Sequence, residues 1–276
     1  MTDRYAVIGN PIAQSKSPLI HTAFAQVTGQ DIDYTQVLGP MGEFAATVDA
    51  FRASGGRGMN VTAPFKLDAF AYATHLAPSA QMAGAVNALK FEGERVYAEN
   101  FDGIGLVRDL VHNLQCPLQG RRVLILGAGG ATRGALLPLL AEQPSELVIV
   151  NRTVAKAQEL AALAHQHQSG QVPVTGMGYE AVQGVFDVVL NASSSSLSAE
   201  LPPLPASVFG PGCLAYDLTY GKGLTPFLKL AQQAGVTRLA DGVGMLAEQA
   251  AEAFAWWRGI RPDTAAVIHT LTVPLV

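Results

Sequence analysis

A short apolar strand runs directly into a glycine-rich turn in the stretch Val123-Leu124-Ile125-Leu126-Gly127-Ala128-Gly129-Gly130-Ala131. Four consecutive apolar residues are typical of a strand buried on both faces of a parallel sheet. Gly127 permits a tight turn, and Gly129 lets N–H groups of the following helix approach a pyrophosphate. A full G-x-G-x-x-G motif needs glycine at position 132, which is threonine here. A plain glycine turn in an α/β domain is therefore the alternative to a dinucleotide site.

The end of the second strand favours the phosphate form of a dinucleotide. An NAD-binding unit usually places Asp or Glu about 20 residues beyond the turn, where it meets the ribose hydroxyl. Here Glu146–Val150 is followed by Asn151-Arg152-Thr153, with Lys156 just beyond. Arg152 offers a planar donor fork, Thr153 a hydroxyl and Lys156 a positive charge, which together suit a 2′-phosphate. We expect NADP rather than NAD; a solvated turn that caps the next helix is the alternative.

Short β-rich runs alternate with longer helical runs, the pattern of parallel sheets covered by helices. The sequence predicts an α/β fold with an N-terminal α/β substrate domain over residues 1–105 and a Rossmann-type NADP-binding domain over residues 106–241. Residues 242–276 include a strongly helical run and are expected to return to the first domain. A hairpin is expected around Glu92-Gly93-Glu94.

Composition excludes several classes of protein. Of the 276 residues, 49% are hydrophobic and 14% charged, and the formal charge is −4. A largely disordered chain is excluded, and slight acidity argues against an extended basic face for nucleic acid or a membrane. Cys116 and Cys213 are far apart, so neither a paired-thiol metal site nor a disulfide framework is expected. We expect a cytoplasmic protein whose partner is a small molecule.

Histidine and tryptophan patterns add no cofactor. His165 and His167 are two residues apart on a predicted helix and point to different sides, so no metal site is expected. His21 follows Ser17 by one helical turn and is expected to pack or cap rather than act as a base. The pair Trp256-Trp257 is expected to bury an aromatic face, with a homodimer contact as the alternative.

Three polar clusters fall where predicted strands of the first domain turn into helices. They are Ser15-Lys16-Ser17-Pro18, Asn60-Val61-Thr62-Ala63-Pro64-Phe65-Lys66 and Asn100-Phe101-Asp102-Gly103. Each alone is consistent with ordinary helix caps, turns and a solvated lysine. With Gly84-Ala85-Val86-Asn87, the glycine turn, Asn151-Arg152-Thr153 and Gly242–Gln249, they resemble the shikimate dehydrogenase family in order and spacing over nearly the whole chain.

The resemblance implies an oxidoreductase that reversibly reduces 3-dehydroshikimate to shikimate with NADPH, in the pathway to aromatic amino acids. It implies that Lys66 and Asp102 form the catalytic acid-base pair. It further implies that Ser15 and Ser17, helped by Tyr220, bind the substrate carboxylate. The residues expected to contact the ring hydroxyls are Asn60, Thr62, Asn87 and Asp102. Gln249 is expected to close over the substrate. The implied cofactor residues are Gly127, Ala128, Gly129, Gly130, Ala131, Asn151, Arg152, Thr153, Lys156, Leu218 and Gly242.

Phe101 departs from the family pattern, which usually has Asn-Thr-Asp where this chain has Asn100-Phe101-Asp102. If the ring lines the substrate pocket, an unpaired buried hydroxyl of the ligand would cost roughly 1–3 kcal/mol. If the ring points into the core, substrate binding changes little. The departure keeps two alternatives open: a related enzyme acting on quinate or another cyclic hydroxy acid, and an NADP-binding protein without turnover. Retention of both Lys66 and Asp102 favours an enzyme.

Overall fold

The computed structural model describes residues 2–168, 170–193 and 203–275. Within these ranges the chain forms two compact units, each with a six-stranded sheet. The first unit comprises Met1–Gly105 and Ala247–Val267, and the second comprises Leu106–Leu246 and Ile268–Val276. The predicted α/β class is confirmed.

The sheet of the first unit is mixed. Its strands are β1 (Asp3–Gly9), β2 (Ile32–Leu38), β3 (Gly56–Val61), β4 (His75–Leu76), β5 (Ala88–Glu92) and β6 (Arg95–Glu99). They follow the order β2-β1-β3-β5-β6-β4. β1 pairs in parallel with β2 and β3, whereas β5 is antiparallel to both β3 and β6. The predicted hairpin is therefore present as β5 and β6.

Helices connect and cover these strands. They are α1 (Ser17–Thr28), α2 (Phe44–Ala53), α3 (Lys66–Tyr72), α4 (Pro78–Ala83) and α5 (Asp102–Arg108). α1 begins at Ser17 with Pro18 in its first turn and is capped after Thr28 by Gly29, whose φ of 65° is the left-handed conformation that glycine adopts easily. A π-helical turn, Asp109–Asn113, follows α5.

The two faces of the first sheet bury separate apolar clusters, because side chains alternate along a strand. From β1, Ala6 and Ile8 enter a cluster with Met59 and Leu89. Tyr5 and Val7, on the opposite face, enter the second cluster. We call its buried aromatic members Tyr5, Tyr34 and Trp257, together with the partly buried Phe101 and Trp256 that pack against them, the aromatic cluster.

The second unit carries a parallel sheet with the strand order of a dinucleotide-binding fold. Its strands are β7 (Arg122–Leu126), β8 (Glu146–Val150), β9 (Val174–Met177), β10 (Phe186–Asn191), β11 (Phe209–Asp217) and β12 (Arg238–Asp241). All described pairings are parallel, in the order β12-β11-β10-β7-β8-β9. Counted from the first strand of this unit, that is the Rossmann order 3-2-1-4-5-6 in reverse.

The remaining helices are α6 (Gly130–Ala141), α7 (Val154–His167), α8 (Pro226–Gln233), α9 (Val243–Arg258) and α10 (Ala265–Leu271). Two short 3-10 turns, Tyr179–Ala181 and Ala206–Val208, lie beside the strands of the second unit. No helix in the described ranges is long and apolar enough to cross a membrane.

The chain's return to the first unit is shorter than the expected residues 242–276. Residues 247–267 group with the first unit, whereas 242–246 and 268–276 group with the second. Packing explains the difference. A methyl group on Gly242 would lie 2.3 Å from the carbonyl oxygen of Leu218, and one on Gly244 would lie 1.9 Å from the Asp109 carboxylate. Leu275 packs against the core of the second unit.

Candidate active site

One edge of the first sheet collects the predicted catalytic and substrate residues. β1, β3 and β6 run in the same direction, so their carboxyl ends meet at this edge together with the start of the antiparallel β5. Ser15 and Ser17 follow β1, Thr62 follows β3, and Asn87 precedes β5. Topology therefore brings together polar clusters that are dispersed along the sequence.

Lys66 and Asp102 are in direct contact. Lys66 is the first residue of α3 and Asp102 the first of α5. Lys66 Nζ lies 2.5 Å from Asp102 Oδ2. The lysine side chain is 34% exposed and the aspartate side chain 20% exposed, so a ligand can still reach both groups. An ammonium and a carboxylate so paired can exchange a proton with an alcohol or a carbonyl oxygen placed beside them.

Asn87 holds the second oxygen of the carboxylate. Its Nδ2 donates to Asp102 Oδ1 at 2.9 Å and to Gln249 Oε1 at 3.3 Å. Its Oδ1 accepts from the backbone N–H of Phe101 at 2.9 Å. Asn100 Oδ1 accepts from the backbone N–H of Asp102 at 3.1 Å. Because both side-chain oxygens of Asp102 and its backbone are bonded, the carboxylate is held in one orientation.

The other predicted substrate residues of the first unit lie along the same edge. Ser15 Oγ is 3.3 Å from both the hydroxyl and the backbone N–H of Ser17. Asn60, 6% exposed, donates from Nδ2 to the carbonyl of Asn87 at 3.3 Å. Thr62 is packed against Gly9, where a methyl group would lie 2.6 Å from Thr62 Cγ2. The close approach of β1 to the Thr62 turn therefore requires glycine.

Tyr220 is the one predicted substrate residue that belongs to the second unit. It is 40% exposed. Its expected contact with the substrate carboxylate stays a prediction.

Phe101 lies within the aromatic cluster. Its ring meets Trp256 edge to face, with centroids 5.8 Å apart. The same cluster stacks Trp257 on Tyr5 at 4.7 Å, and Trp257 is 9% exposed, so the tryptophan pair packs against its own unit. The contact with Trp256 favours the core alternative, while the assignment of Phe101 to the substrate site stays a prediction.

Replacing Phe101 with threonine should therefore affect stability more than turnover. We expect Phe101→Thr to lower the free energy of unfolding by about 1–3 kcal/mol, since part of a partly buried aromatic contact is lost. The kcat/KM for shikimate should change by less than about threefold, which is within 1 kcal/mol. Phe101→Leu, which stays apolar, is the matched control. A tenfold gain in kcat/KM with threonine but not leucine would show that the ring intrudes on the pocket.

The carboxyl edge of the second sheet carries the predicted cofactor residues. Gly127 has φ of +100°, and a methyl group there would lie 3.0 Å from backbone atoms of Ser193, so glycine is required. Gly129 precedes α6, and no side chain caps this helix start. Gly129 and Gly130 are exposed, and added methyl groups would meet nothing within 4 Å. These uncapped N–H groups at the positive end of a twelve-residue helix fit a pyrophosphate.

The end of β8 lies beside this glycine turn. Leu126 pairs with Val150, and the N–H of Gly127 donates to the Val150 carbonyl at 2.8 Å. Arg152, Thr153 and Lys156 are exposed just beyond. Thr153 occupies the cap position of α7, and its hydroxyl makes no capping bond there. The donor set fits a 2′-phosphate, because it contains two cations and a hydroxyl.

Asn151, Leu218 and Gly242 complete the predicted cofactor set at the same edge. The N–H of Ala128 is 3.4 Å from Asn151 Oδ1, which ties the glycine turn to the end of β8. Leu218 follows β11 and Gly242 follows β12. The N–H of Gly242 donates to the carbonyl of Thr219 at 3.3 Å. The predicted cofactor residues therefore lie at the carboxyl ends of strands of one sheet or in the first turns of the helices that follow, where Rossmann folds bind dinucleotides.

Sequence inspection missed several supporting residues. In the second unit, buried Asp217 accepts from Asn191 Nδ2 at 3.2 Å and from the Thr225 hydroxyl at 2.7 Å. In the first unit, Asn100 caps the start of α5 and Tyr34 contacts Asn60. The Asn-Phe-Asp motif contains Asn100 without indicating its role, and an alternating strand pattern around Tyr34 signals burial but not a partner.

Family models match three parts of the chain. The shikimate dehydrogenase substrate-binding domain matches residues 7–89, shikimate/quinate 5-dehydrogenase matches 109–199, and the shikimate 5′-dehydrogenase C-terminal domain matches 242–272. A shikimate dehydrogenase (NADP⁺) of Chromobacterium violaceum is 56% identical over 272 residues, which is 98% of each chain. The chain belongs to the shikimate dehydrogenase family.

Solved structures agree with this family membership. An Ael1 enzyme from Pseudomonas putida is 60% identical, with a TM-score of 0.95 and full coverage of both chains. A shikimate 5-dehydrogenase from Thermus thermophilus, solved in complex with NADP(H) and shikimate, is 30% identical, with a TM-score of 0.83 and 98% coverage of both chains. The shikimate dehydrogenase fold therefore extends over the whole chain.

Proposed function

We propose that this protein is an NADP-dependent oxidoreductase that interconverts 3-dehydroshikimate and shikimate. The observation that carries the proposal is the Lys66–Asp102 pair, 2.5 Å apart and held by Asn87. Simple nucleotide binding by the second unit would not need an acid-base pair in the first. Membership of the shikimate dehydrogenase family, with relatives above 50% identity, supports the same substrate.

Oxidation of a secondary alcohol requires that the hydroxyl proton leaves as hydride leaves the same carbon. A bound NADP⁺ would supply the acceptor for that hydride. Lys66 and Asp102 take the proton in this direction, and Lys66 returns it to the developing alkoxide in the reduction. Asp102 orients both the ammonium and the substrate hydroxyl, while Asn87 holds Asp102. Acid-base groups of this kind typically contribute about 10²–10⁴-fold in rate.

The rest of the edge provides donors for a polyhydroxylated ring acid. Ser15 and Ser17 donate hydroxyl protons to the substrate carboxylate, and Tyr220 assists them. Asn60, Thr62 and Asn87 bind ring oxygens, and Gln249 closes over the ring from α9. NADP is held by the glycine turn at its pyrophosphate and by Asn151, Arg152, Thr153 and Lys156 at its 2′-phosphate. Leu218 and Gly242 complete the cofactor site. Cytoplasmic location and a homodimer remain predictions.

A second candidate function is oxidation of quinate, because the family model that matches residues 109–199 is described as shikimate/quinate 5-dehydrogenase. Quinate shares the carboxylate and the ring hydroxyls but carries an additional tertiary hydroxyl. The two substrates therefore differ at the ring carbon that bears the carboxylate.

The purified protein tests these functions directly. We expect NADP⁺ with shikimate to form NADPH, followed by absorbance at 340 nm, with a kcat/KM well above that for quinate. NAD⁺ serves as the control cofactor and should give a much lower rate. A preference for quinate would support the second candidate. Measurable NADP⁺ binding without turnover of either acid would contradict both and indicate a binding protein.

A further inference from the structure

Tyr34 contacts Asn60 of the proposed substrate site but has no role in the reaction steps described above. It lies on β2 and is 7% exposed. Its hydroxyl donates to Asn60 Oδ1 at 2.7 Å. Asn60 Nδ2 in turn donates to the backbone carbonyl of Asn87 at 3.3 Å. One buried phenol therefore links β2 to an amide at the edge that holds Lys66 and Asp102.

These two partners determine which way the Asn60 amide faces. A backbone carbonyl only accepts hydrogen bonds, so Asn87 requires the NH₂ group of Asn60 on its side. A rotated amide would bring two carbonyl oxygens together. Oδ1 must then face Tyr34, and the phenol must donate. A carboxamide carries two N–H groups. The Asn87 carbonyl accepts from one of them; the His21 imidazole is also close to the Asn60 side chain, but neither of its ring nitrogens has a hydrogen-bond partner in the described structure.

Packing holds the Tyr34 ring in place. The imidazole of His21 stacks on it with centroids 4.2 Å apart and planes within 5°. His21 is fully buried and also stacks against Phe254 at 6.1 Å. Burial lowers the pKa of His21 to about 3, so the imidazole is uncharged at neutral pH. The Tyr34 hydroxyl therefore has little freedom to leave Asn60.

The phenol of Tyr34 stays protonated at neutral pH. Burial raises the pKa of Tyr34 well above its usual range, and a hydrogen bond with the Ser17 hydroxyl lowers it in part. Tyr34 thus remains a donor to Asn60 and also contacts Ser17. Both neighbours are residues that the proposed function places on the substrate.

We propose that Tyr34 is a positioning residue for the substrate site: it holds the Asn60 amide with an N–H group directed at the ligand. This subsite then accepts a ligand oxygen with a lone pair, as a ring hydroxyl or a carbonyl has, and disfavours a group that can only donate. The inference rests on the proposed function, in which Asn60 binds a ring oxygen.

Tyr34→Phe removes the hydroxyl and keeps the stacked ring. We expect the KM for shikimate to rise about 3–10-fold, the range of one hydrogen bond, with kcat within about twofold and the KM for NADP⁺ unchanged. Tyr5→Phe is the matched control, because Tyr5 is 4% exposed and stacks on Trp257 in the same aromatic cluster. A similar rise in KM for Tyr5→Phe would overturn the proposal, since it would indicate general loosening.

A double-mutant cycle tests whether Tyr34 acts through Asn60. In an Asn60→Ala background, Tyr34→Phe should raise the KM for shikimate no further, because the amide it orients is gone. Multiplicative effects of the two substitutions would overturn the proposal.

A measurement without turnover separates this inference from the proposed function. The side-chain NH₂ signals of Asn60, identified by their loss in Asn60→Ala, are followed by ¹⁵N-correlated NMR in the ligand-free protein. We expect them to shift and exchange faster with solvent in Tyr34→Phe and to stay unchanged in Tyr5→Phe. Unchanged signals in Tyr34→Phe would overturn the positioning role. A wild-type protein inert toward shikimate would instead refute the proposed function, and the NMR result would still decide the role of Tyr34.

Discussion

Lys66→Ala is expected to lower kcat for shikimate oxidation by about 10²–10⁴-fold, the usual contribution of a positioned acid-base group. The KM for shikimate should change by less than about threefold, because in the proposed site the serines and asparagines would provide most of the ground-state binding. Lys66 Nζ is 2.5 Å from Asp102 Oδ2, so the substitution removes the cation and leaves the carboxylate bonded to Asn87. Steady-state kinetics at 340 nm separates the two parameters.

Lys90→Ala is the matched control for loss of a lysine in the same unit. Lys90 lies on β5 and pairs with Glu92 at 2.8 Å. Its replacement should leave kcat within about twofold, since a partly exposed surface ion pair contributes about 0–1 kcal/mol. A Lys66→Ala enzyme that keeps a tenth or more of wild-type kcat would refute the acid-base assignment.

Arg152→Ala is expected to weaken NADP⁺ binding about 10–100-fold, the range for losing charged hydrogen bonds to a phosphate. Binding of NAD⁺, which lacks the 2′-phosphate, should weaken by less than about threefold. The reason is positional: Arg152 is exposed directly after β8, and β8 ends beside the glycine turn. Fluorescence titration of the ligand-free protein with each nucleotide gives both dissociation constants.

Arg121→Ala controls for the loss of one positive charge from the second unit. Arg121 precedes β7, at the amino end of the strands, and pairs with Asp187 at 3.2 Å. Its removal should alter the NADP⁺ and NAD⁺ dissociation constants equally and slightly. Equal weakening of both nucleotides by Arg152→Ala would mean that the 2′-phosphate site has been assigned to the wrong residues.

Continuous apolar strands and glycine turns made the second unit predictable. β7 and β8 were expected because their apolar runs are buried on both faces of a parallel sheet. β9 was not expected, since Gly176 interrupts a four-residue strand. The structure explains that glycine: a methyl group there would lie 2.2 Å from the carbonyl oxygen of Ala157, so α7 packs directly on the strand.

Long-range contacts were the least predictable part of the site. Lys66 and Asp102 are 36 residues apart, and local sequence gives no reason for them to meet; only the family resemblance paired them. Their contact depends on β5, which lies between β3 and β6 and is antiparallel to both. The carboxyl ends of β3 and β6 therefore lie at the same edge of the sheet. The boundary within α9 was missed for a related reason, because an uninterrupted helical pattern does not reveal where its contacts change from one unit to the other.

The most direct test of the acid-base assignment is a crystal structure with shikimate and NADPH, a pair that cannot react with each other. We expect Lys66 Nζ and the Asp102 carboxylate to lie within hydrogen-bond reach, about 2.6–3.2 Å, of one ring hydroxyl. The carbon that bears this hydroxyl should face C4 of the nicotinamide. A complex in which other groups meet that hydroxyl, while Lys66 and Asp102 bind only each other, would contradict the assignment.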